Sequence, residues 1–458
     1  MILERLSLAN YRGFEQIDID FEKDVTLIAG VNGVGKSALL SAIVKCASRA
    51  LPKITPSREN ALTTVITDVK ADKKLLSISA QFKISKADVY VDISRSIEVS
   101  TKEAKELTKR LEMLRFAIRQ TSKGSREQRL IENDIKIIES KLAPVAELPT
   151  VRILYANPDH SQAEMIEGIR RTSTLPLAVF YSTSRFLSRL PTKLPKTKNV
   201  EIATAYGNAL EQLEISLNDF ANWYRYQLEG KSMELTKRIF QQLNSAITTF
   251  LPDVSDLQLH DDHFPRFSVQ KNGDRFFVEQ LSDGERGLLA LVLDLTRRLA
   301  SANPDSDNPI IEGVALVLID EIELHLHPKW QRQVIRRLQE VFKKCQFVIT
   351  THSPQVIGQI KAKKLRLLSL DESGKVVLQP VSQAFGMDSS WILQNIMGVP
   401  ARDYETEQKL SKVYDAIDAD DYKEARRQAE KLRSEIGDFP DLQEALAMLD
   451  RFEMLGQG

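Results

Sequence analysis

The sequence predicts an α/β fold, with a mixed central sheet joined to an antiparallel β lobe, and three stretches predict it. The first is Gly30 to Ser37, Gly-Val-Asn-Gly-Val-Gly-Lys-Ser, with the β-type run Val25 to Ala29 before it and the apolar-rich, helix-forming run Ala38 to Ala47 after it. The second is Leu281-Ser282-Asp283-Gly284-Glu285-Arg286-Gly287, which opens an apolar-rich helix from Leu288 to Leu299. The third is Val314 to Ile319, a continuous apolar strand that runs into Asp320-Glu321.

The first stretch fits the phosphate-loop pattern G-x-x-x-x-G-K-[ST] without a mismatch, in the strand–loop–helix context such a loop needs. A triphosphate requires that order because main-chain N–H groups and a helix N-terminus must point at its oxygens, and only glycine lets the chain pass so close. The main chain of Asn32, Gly33, Val34, Gly35, Lys36, Ser37 and Ala38 would form the cradle. Lys36 would bridge the β- and γ-phosphates, and Ser37 would ligate Mg²⁺.

The 458 residues are 42% hydrophobic and 28% charged, an ordinary globular composition long enough for two or three packed units. No apolar run approaches the roughly 20 residues of a membrane span, and the N-terminus has no basic stretch followed by a long apolar one, so a cytoplasmic protein is expected. Lys plus Arg equals Asp plus Glu at 63 each, so a nucleic-acid partner would have to be met by local patches. The two cysteines, Cys46 and Cys345, fall in a predicted helix and just before a predicted strand, as buried thiols rather than a disulfide or metal pair.

In chain order, Ile2, Leu6 and Leu8, then Ile17, Ile19 and Phe21, alternate as two strands around the turn Asn10-Tyr11-Arg12-Gly13-Phe14. Arg12 is either a solvated turn residue or a guanidinium placed over the base or ribose of a nucleotide. Alternation from Leu75 to Val99 continues the same lobe as a meander, with Gln81 on its polar side. Between 101 and 142, Leu107, Leu111, Leu114 and Ile118, then Ile131, Ile135, Ile138 and Leu142, have helical spacing around a break at Gly124. They predict an antiparallel helical hairpin with arms of about 18 residues, or roughly 27 Å. Its basic residues, Lys105, Lys109, Arg110, Arg115, Arg119, Lys123, Arg126 and Arg129, suit DNA or an acidic protein surface, or are solvated helix faces.

Leu177 to Tyr181 reads as a short buried strand, followed by Ser182-Thr183-Ser184-Arg185. The apolar spacing from Ala203 to Leu251 is helical, and Phe267 to Val278 is a hairpin around Asn272-Gly273. At the second stretch, Ser282 and the following glycine form another anion-binding helix start. At the third, Asp320 is placed to hold Mg²⁺ and Glu321 to polarise an attacking water. After the strand Gln346 to Ile349, His352 faces the crevice at the strand's carboxyl end, where it could contact the γ-phosphate. His325 and His327 resemble a metal pair but have no third ligand spaced to complete a site. Residues 365 to 381 give two short strands around Gly374. Helices are expected at Glu405 to Ile417, Tyr422 to Ile436 and Asp441 to Leu455, and their amphipathic faces need a partner surface. Asp418-Ala419-Asp420 lies between helical segments and reads as a helix start.

Taken in order, Gly30 to Ser37, Leu281 to Gly287, Asp320-Glu321, Glu323 to Pro328 and His352 resemble the ABC-type ATPase heads of the SMC, RecF and OLD families over about residues 1 to 370. The wording Asp-Glu-x-Glu-Leu-His-Leu-His-Pro-x-x-Gln followed by Ile-Thr-Thr-His-Ser-Pro is especially like the OLD-related group. The resemblance implies an ATP sandwich in a homodimer or higher even oligomer. Ser282, Gly284 and Glu285 of one head would face the nucleotide held by Lys36 of the other. It also makes Arg12 a nucleotide-contacting arginine. Asp283 stands where many such heads carry glycine, and the Q-loop glutamine falls in no clear motif; by order it belongs near Tyr181 to Arg185, and no residue is assigned to it.

Length, the short insertion, the Tyr-Ser-Thr-Ser-Arg stretch and the tail from Ser390 look similar to the PtuA-type ATPases of Septu and retron-linked anti-phage systems. That resemblance implies a sensor and regulator of a separate HNH-type nuclease, with a reverse transcriptase and its msDNA as further partners in a retron. The alternative is a RecF- or SMC-like repair ATPase acting directly on DNA, though the predicted arms are far too short for an SMC rod. A transporter ATPase subunit would share the second stretch but not the histidine-rich motif or the tail. The expected division is an N-terminal lobe over 1–100, the hairpin insertion over 101–149, and a core strand with a helical subdomain over 150–260. A C-terminal lobe over 261–388 and a partner-binding helical region over 389–458 complete it.

Overall fold

The computed structural model describes residues 1–84, 87–96, 150–155, 166–169, 174–194, 196–211, 214–230, 233–261, 264–400 and 402–455, together with 106, 109–110, 113–114, 131 and 134–135. The expected helical hairpin with its basic residues therefore lies largely outside the described residues. The chain divides into two compact units, Met1–Gly386 and Met387–Gly458.

In the first unit, β1 (Ile2–Tyr11), β2 (Phe14–Asp20), β4 (Leu75–Ile84), β5 (Ala87–Ser96) and β6 (Thr150–Tyr155) form an antiparallel sheet in the order β2-β1-β4-β5-β6. Along β4 every second residue is buried, Leu76, Ile78, Ala80, Phe82 and Ile84, as strict alternation dictates for a sheet covered on one face. Gln81, on the other face, donates to Glu4 Oε2 at 3.0 Å across the sheet.

The second sheet carries the phosphate loop. It uses β3 (Val25–Gly30), β7 (Leu177–Tyr181), β13 (Ala315–Ile319), β14 (Gln346–Thr351), β15 (Leu365–Leu370) and β16 (Val376–Gln379), in the order β16-β15-β3-β14-β13-β7. Its pairs are parallel except β15–β16. β3, β13 and β14 are buried along their whole length, which is why they read as unbroken apolar runs rather than alternating ones. The helix α1 (Lys36–Ile54) has neighbours in both sheets and is buried on almost every side, so its sequence has no clean polar stripe.

Three expectations change. Among the described residues from Ala203 to Ile215 there is no α-helix: a 3₁₀ turn at Ile202–Ala205 is followed by turns as far as Glu211, and β9 (Glu214–Ile215) pairs with β8 (Phe186–Leu187). Helices begin only at α2 (Leu217–Leu228), capped by Ser216, and α3 (Met233–Phe250). Ala205, Tyr206 and Ala209 are buried from the 3₁₀ turn and the turns after it, and that burial mimics helical spacing. The expected hairpin β11 (Arg266–Lys271) and β12 (Asp274–Phe277) turns at Asn272-Gly273, and it gains a third strand, β10 (Val254–His260). Asp418-Ala419-Asp420 is a helix end, and the next helix is capped by Asp421, whose carboxylate accepts from Glu424 N at 3.1 Å.

α4 (Asp283–Ala302) runs on from the second stretch, and α5 (Val334–Val341) connects β13 to β14. The second unit has a short helix at Ser389–Asn395, then α6 (Tyr404–Asp418), α7 (Tyr422–Ile436) and α8 (Pro440–Leu455). Those three close around a core of their own, Leu410, Val413, Ile417, Ala425, Ala429, Leu432, Leu442, Ala445 and Leu449. Tyr422 and Phe452 stack at its edge with ring centroids 5.4 Å apart. Cys46 and Cys345 are free, buried thiols. Among the described residues no helix is long and apolar enough to cross a membrane.

Candidate functional site

The carboxyl ends of β3, β14 and β13 meet at one crevice, because these strands are parallel neighbours in register. Each delivers one of the sequence motifs there, which fits the rule that ligands of open α/β sheets bind outside the carboxyl ends of the strands. β3 ends in the phosphate loop. Gly30, Gly33 and Gly35 have φ of +154°, +79° and +105°, conformations that side chains disfavour. Space also excludes a side chain at two of them. A Cβ on Gly30 would lie 2.5 Å from Leu368 O, and one on Gly35 would lie 2.8 Å from the Phe14 ring.

Lys36 folds back over the loop, with Nζ donating to Gly30 O at 2.9 Å and Val31 O at 3.0 Å. Burial pulls its ammonium down to about 8, only partly offset by the field of Glu321, Asp320 and Glu323. A buried cation held by carbonyls in a glycine-shaped loop at a helix start suits a phosphate, so the residues fit a nucleotide. The main chain of Asn32 to Ala38 could bind its oxygens at the start of α1.

His352 Nδ1 lies 3.3 Å from Lys36 Nζ, and His352 Nε2 lies 3.9 Å from Glu321 Oε1. Beside an ammonium, Nδ1 must act as acceptor, which leaves the ring proton on Nε2 and directed towards Glu321 and the crevice. Burial and then Lys36 hold the imidazole below its usual pKa, in keeping with a neutral ring.

The Asp320-Glu321 loop is anchored from two sides. Thr350 Oγ1 donates to Asp320 Oδ1 at 2.6 Å and accepts from Glu321 N at 2.8 Å. Asp320 and Ser37 could hold Mg²⁺, a hard cation that takes oxygen ligands and keeps several waters or phosphate oxygens, so two protein ligands suffice. Glu321 adopts φ of +46°, an unusual conformation for a residue with a side chain. Glu323, which sequence reasoning left without a role, accepts from Thr351 Oγ1 at 2.8 Å and from His352 N, so it ties the loop to the histidine.

Other predicted residues are spread around this centre. Arg12 lies in the turn before Phe14, whose ring sits beside Gly35 of the phosphate loop; it has φ of +49°, and its Nε donates to Asp68 Oδ1 at 2.8 Å. Asp68 also meets Lys45 Nζ at 3.2 Å. Burial pushes the Asp68 carboxyl up, but Val65 N, Arg12 and Lys45 outweigh it and hold it below its ordinary range.

Ser282 caps α4 in a capping box. Its Oγ accepts from Glu285 N at 3.4 Å, while Glu285 Oε2 accepts from Ser282 N at 3.0 Å and from Ser282 Oγ at 2.8 Å. Glu285 is buried and its other oxygen meets Lys271 Nζ at 2.7 Å, so its side chain braces the helix start against β11. Gly284 packs against the loop after Glu321, since a Cβ there would lie 2.4 Å from His325 O. His325 and His327 work separately: His325 packs on Phe186 with ring centroids 5.6 Å apart, and His327 Nδ1 accepts from Lys329 N at 3.3 Å.

After β7, which runs parallel beside β13, comes Arg185, whose guanidinium donates to the carbonyls of Asp320 and Glu321 at 2.6 and 2.7 Å. The only sequence signal for it was a charged residue closing a polar stretch after a buried strand.

A phosphate loop on a parallel sheet, two carboxylates at the next-but-one strand and a histidine between them define a nucleotide-binding ATPase head of the P-loop class. The chain belongs to the AAA ATPase domain family (AAA_15), whose model matches residues 1–357. It is similar to the retron Ec83 probable ATPase of Escherichia coli, 28% identical over 434 residues that cover 87% of this chain and 76% of that one. It is also similar to the Septu protein PtuA of Bacillus thuringiensis, 26% identical over 195 residues, 40% of this chain and 49% of that protein. Among solved structures, an SMC head domain from Thermotoga maritima aligns over 84% of this chain and all of its own, at 14% identity and a TM-score of 0.41.

Proposed function

We propose that this ATPase uses its nucleotide state to regulate a separate HNH-type nuclease in an anti-phage defence system. The observation that carries its ATPase part is the line Lys36–His352–Glu321, which brings a phosphate-binding cation, a neutral imidazole and a carboxylate together at one crevice. In this reading Glu321 accepts a proton from the attacking water, the Nε2–H of His352 donates to a γ-phosphate oxygen, and Lys36 neutralises charge between the β- and γ-phosphates. Mg²⁺ held by Ser37 and Asp320 would neutralise phosphate charge when bound. Arg12, Asn32, Gly33, Val34, Gly35 and Ala38 complete the binding surface.

Two chains would close on ATP, with Ser282, Gly284 and Glu285 of each facing the nucleotide on the other. ATP then shifts the equilibrium of the heads only through its greater affinity for the closed pair. The similarity to retron and Septu proteins supports the defence setting, where a reverse transcriptase and msDNA are further partners. The helical unit from Met387 has a separate core, and it is the proposed nuclease-docking element. DNA contact is assigned to the basic segment at 101–142.

A chain ending near Asp388 should keep ATP hydrolysis but lose co-purification with the nuclease and lose phage protection. Retention of nuclease binding by that soluble, ATPase-active chain overturns the docking assignment. Phage protection that survives Lys36→Ala overturns the dependence on nucleotide state.

A further inference from the structure

Arg185 is buried, and all four groups that it contacts through its fork are main-chain carbonyls. Nη1 donates to Asp320 O at 2.6 Å and to Ser182 O at 3.3 Å; Nη2 donates to Glu321 O at 2.7 Å and to Ile322 O at 3.2 Å. Burying a guanidinium is costly unless its charge and hydrogen bonds are compensated, and here they are compensated by three successive peptide dipoles. Burial lowers it to about 10, with the charges of Glu323, Asp320 and Glu321 opposing that shift.

These carbonyls belong to the turn that carries Glu321 in the left-handed region, at φ of +46°. The N–H side of the same turn is held by other partners. Asp320 N donates to Tyr181 O at 2.9 Å, Glu321 N to Thr350 Oγ1 at 2.8 Å, and Ile322 N to Thr350 O at 3.2 Å. β7 and β14 thus fix the donors, and Arg185 fixes the acceptors. Without Arg185 the peptide groups after Asp320 and Glu321 could rotate and carry the Glu321 carboxylate away from His352.

We propose that Arg185 is a positioning residue for ATP hydrolysis, which holds the backbone of Asp320, Glu321 and Ile322 so that the Glu321 carboxylate faces the crevice. The proposal rests on the assignment of Glu321 as the base. A planar fork is needed, because one ammonium cannot reach several carbonyls in the same arrangement.

The test compares Arg185→Lys and Arg185→Gln with the parent chain, in the parent and in the Glu321→Gln background. Readouts are kcat, the dissociation constant of a non-hydrolysable ATP analogue, and the thermal unfolding midpoint. Each Arg185 variant should lose at least about tenfold in kcat, keep analogue affinity within about threefold, and add no further loss on top of Glu321→Gln, as expected for residues that act as one unit. A folded Arg185→Lys with kcat within twofold of the parent overturns the proposal. An equal loss in the Glu321→Gln background also overturns it, since Arg185 then acts independently of Glu321. Collapse of the fold in both variants would make Arg185 a core-holding residue and overturn it as well. Full turnover by Glu321→Gln alone would instead refute the base assignment, whatever the Arg185 variants do.

Discussion

Gly284 and His325 touch main chain to main chain: a Cβ on Gly284 would lie 2.4 Å from His325 O, closer than real Cβ atoms come to anything. The start of α4 is therefore moulded to the loop that follows Glu321. Since His325 has φ of +61°, that loop is in an unusual conformation and has little freedom to retreat. Gly284→Ala should cost about 1–3 kcal/mol by overpacking and should reduce hydrolysis together with stability. Urea unfolding checks it, and an unchanged midpoint would contradict the contact.

Lys36 makes nucleotide binding pH-dependent. Its ammonium lies at about 8 in the absence of ligand because burial disfavours the charge. Phosphates raise that value, so binding takes up a proton at pH above it. Affinity should be fully present below about pH 8 and fall as pH rises, by at most about tenfold per unit. Calorimetry in Mg²⁺-free buffers of different ionisation enthalpy measures the uptake. Proton release on binding would reverse the sign and reject the account.

Glu321→Gln removes the proposed base but keeps size and hydrogen bonding. Turnover should fall by about 10²–10⁴-fold with ATP still bound, trapping closed heads that elute as dimers. Wild-type turnover by this variant would show that another group activates the water.

Lys36→Ala and Ser282→Arg chains, each inactive alone, should recover partial activity when mixed. One of the two composite sites then carries both defects and the other carries neither. Confirmed mixed dimers without recovery would count against nucleotide shared between heads.

Under the site, Asp294 accepts from Arg297 at 2.8 Å, from Arg298 at 2.7 Å and from the Tyr181 hydroxyl at 3.1 Å, with all three charged side chains buried. Burial alone pushes the Asp294 carboxyl up, but the two arginines outweigh it and hold it below the usual range. Asp294→Asn removes the charge those guanidiniums share, and should destabilise by about 3–5 kcal/mol. Chemical denaturation measures the loss; a change below about 0.5 kcal/mol would mean that the cluster relaxes at no cost.

The phosphate loop, Asp320, Glu321 and His352 were legible in the sequence because each depends on local order: a strand, a turn and a chemically necessary residue type. β6 and β10 were not, since short strands without strong alternation gain their identity from the neighbours they pair with. Arg185 and Glu323 escaped for a related reason. Arg185 bonds mainly to carbonyls well over a hundred residues away, and Glu323 to the hydroxyl of Thr351 and the N–H of His352 at the end of the next-door strand; main-chain partners leave no trace in residue identity, and neither distance is visible in the sequence. Turns over 203–211 imitated a helix because burial, not periodicity, selected apolar residues such as Ala205, Tyr206 and Ala209.

β3 lies between β14 and β15, and the wall beside Gly30 is the carbonyl of Leu368, paired with it in the sheet. A loop made by residues 30–37 thus waits for a strand made by residues 365–370. At about 5–20 residues per second of synthesis, that delay is on the order of half a minute. Throughout it the emerging chain carries the phosphate-binding residues without the walls that shape them. A chain that ends before Leu365 lacks that wall beside Gly30 and should therefore hold ATP more weakly than the full chain.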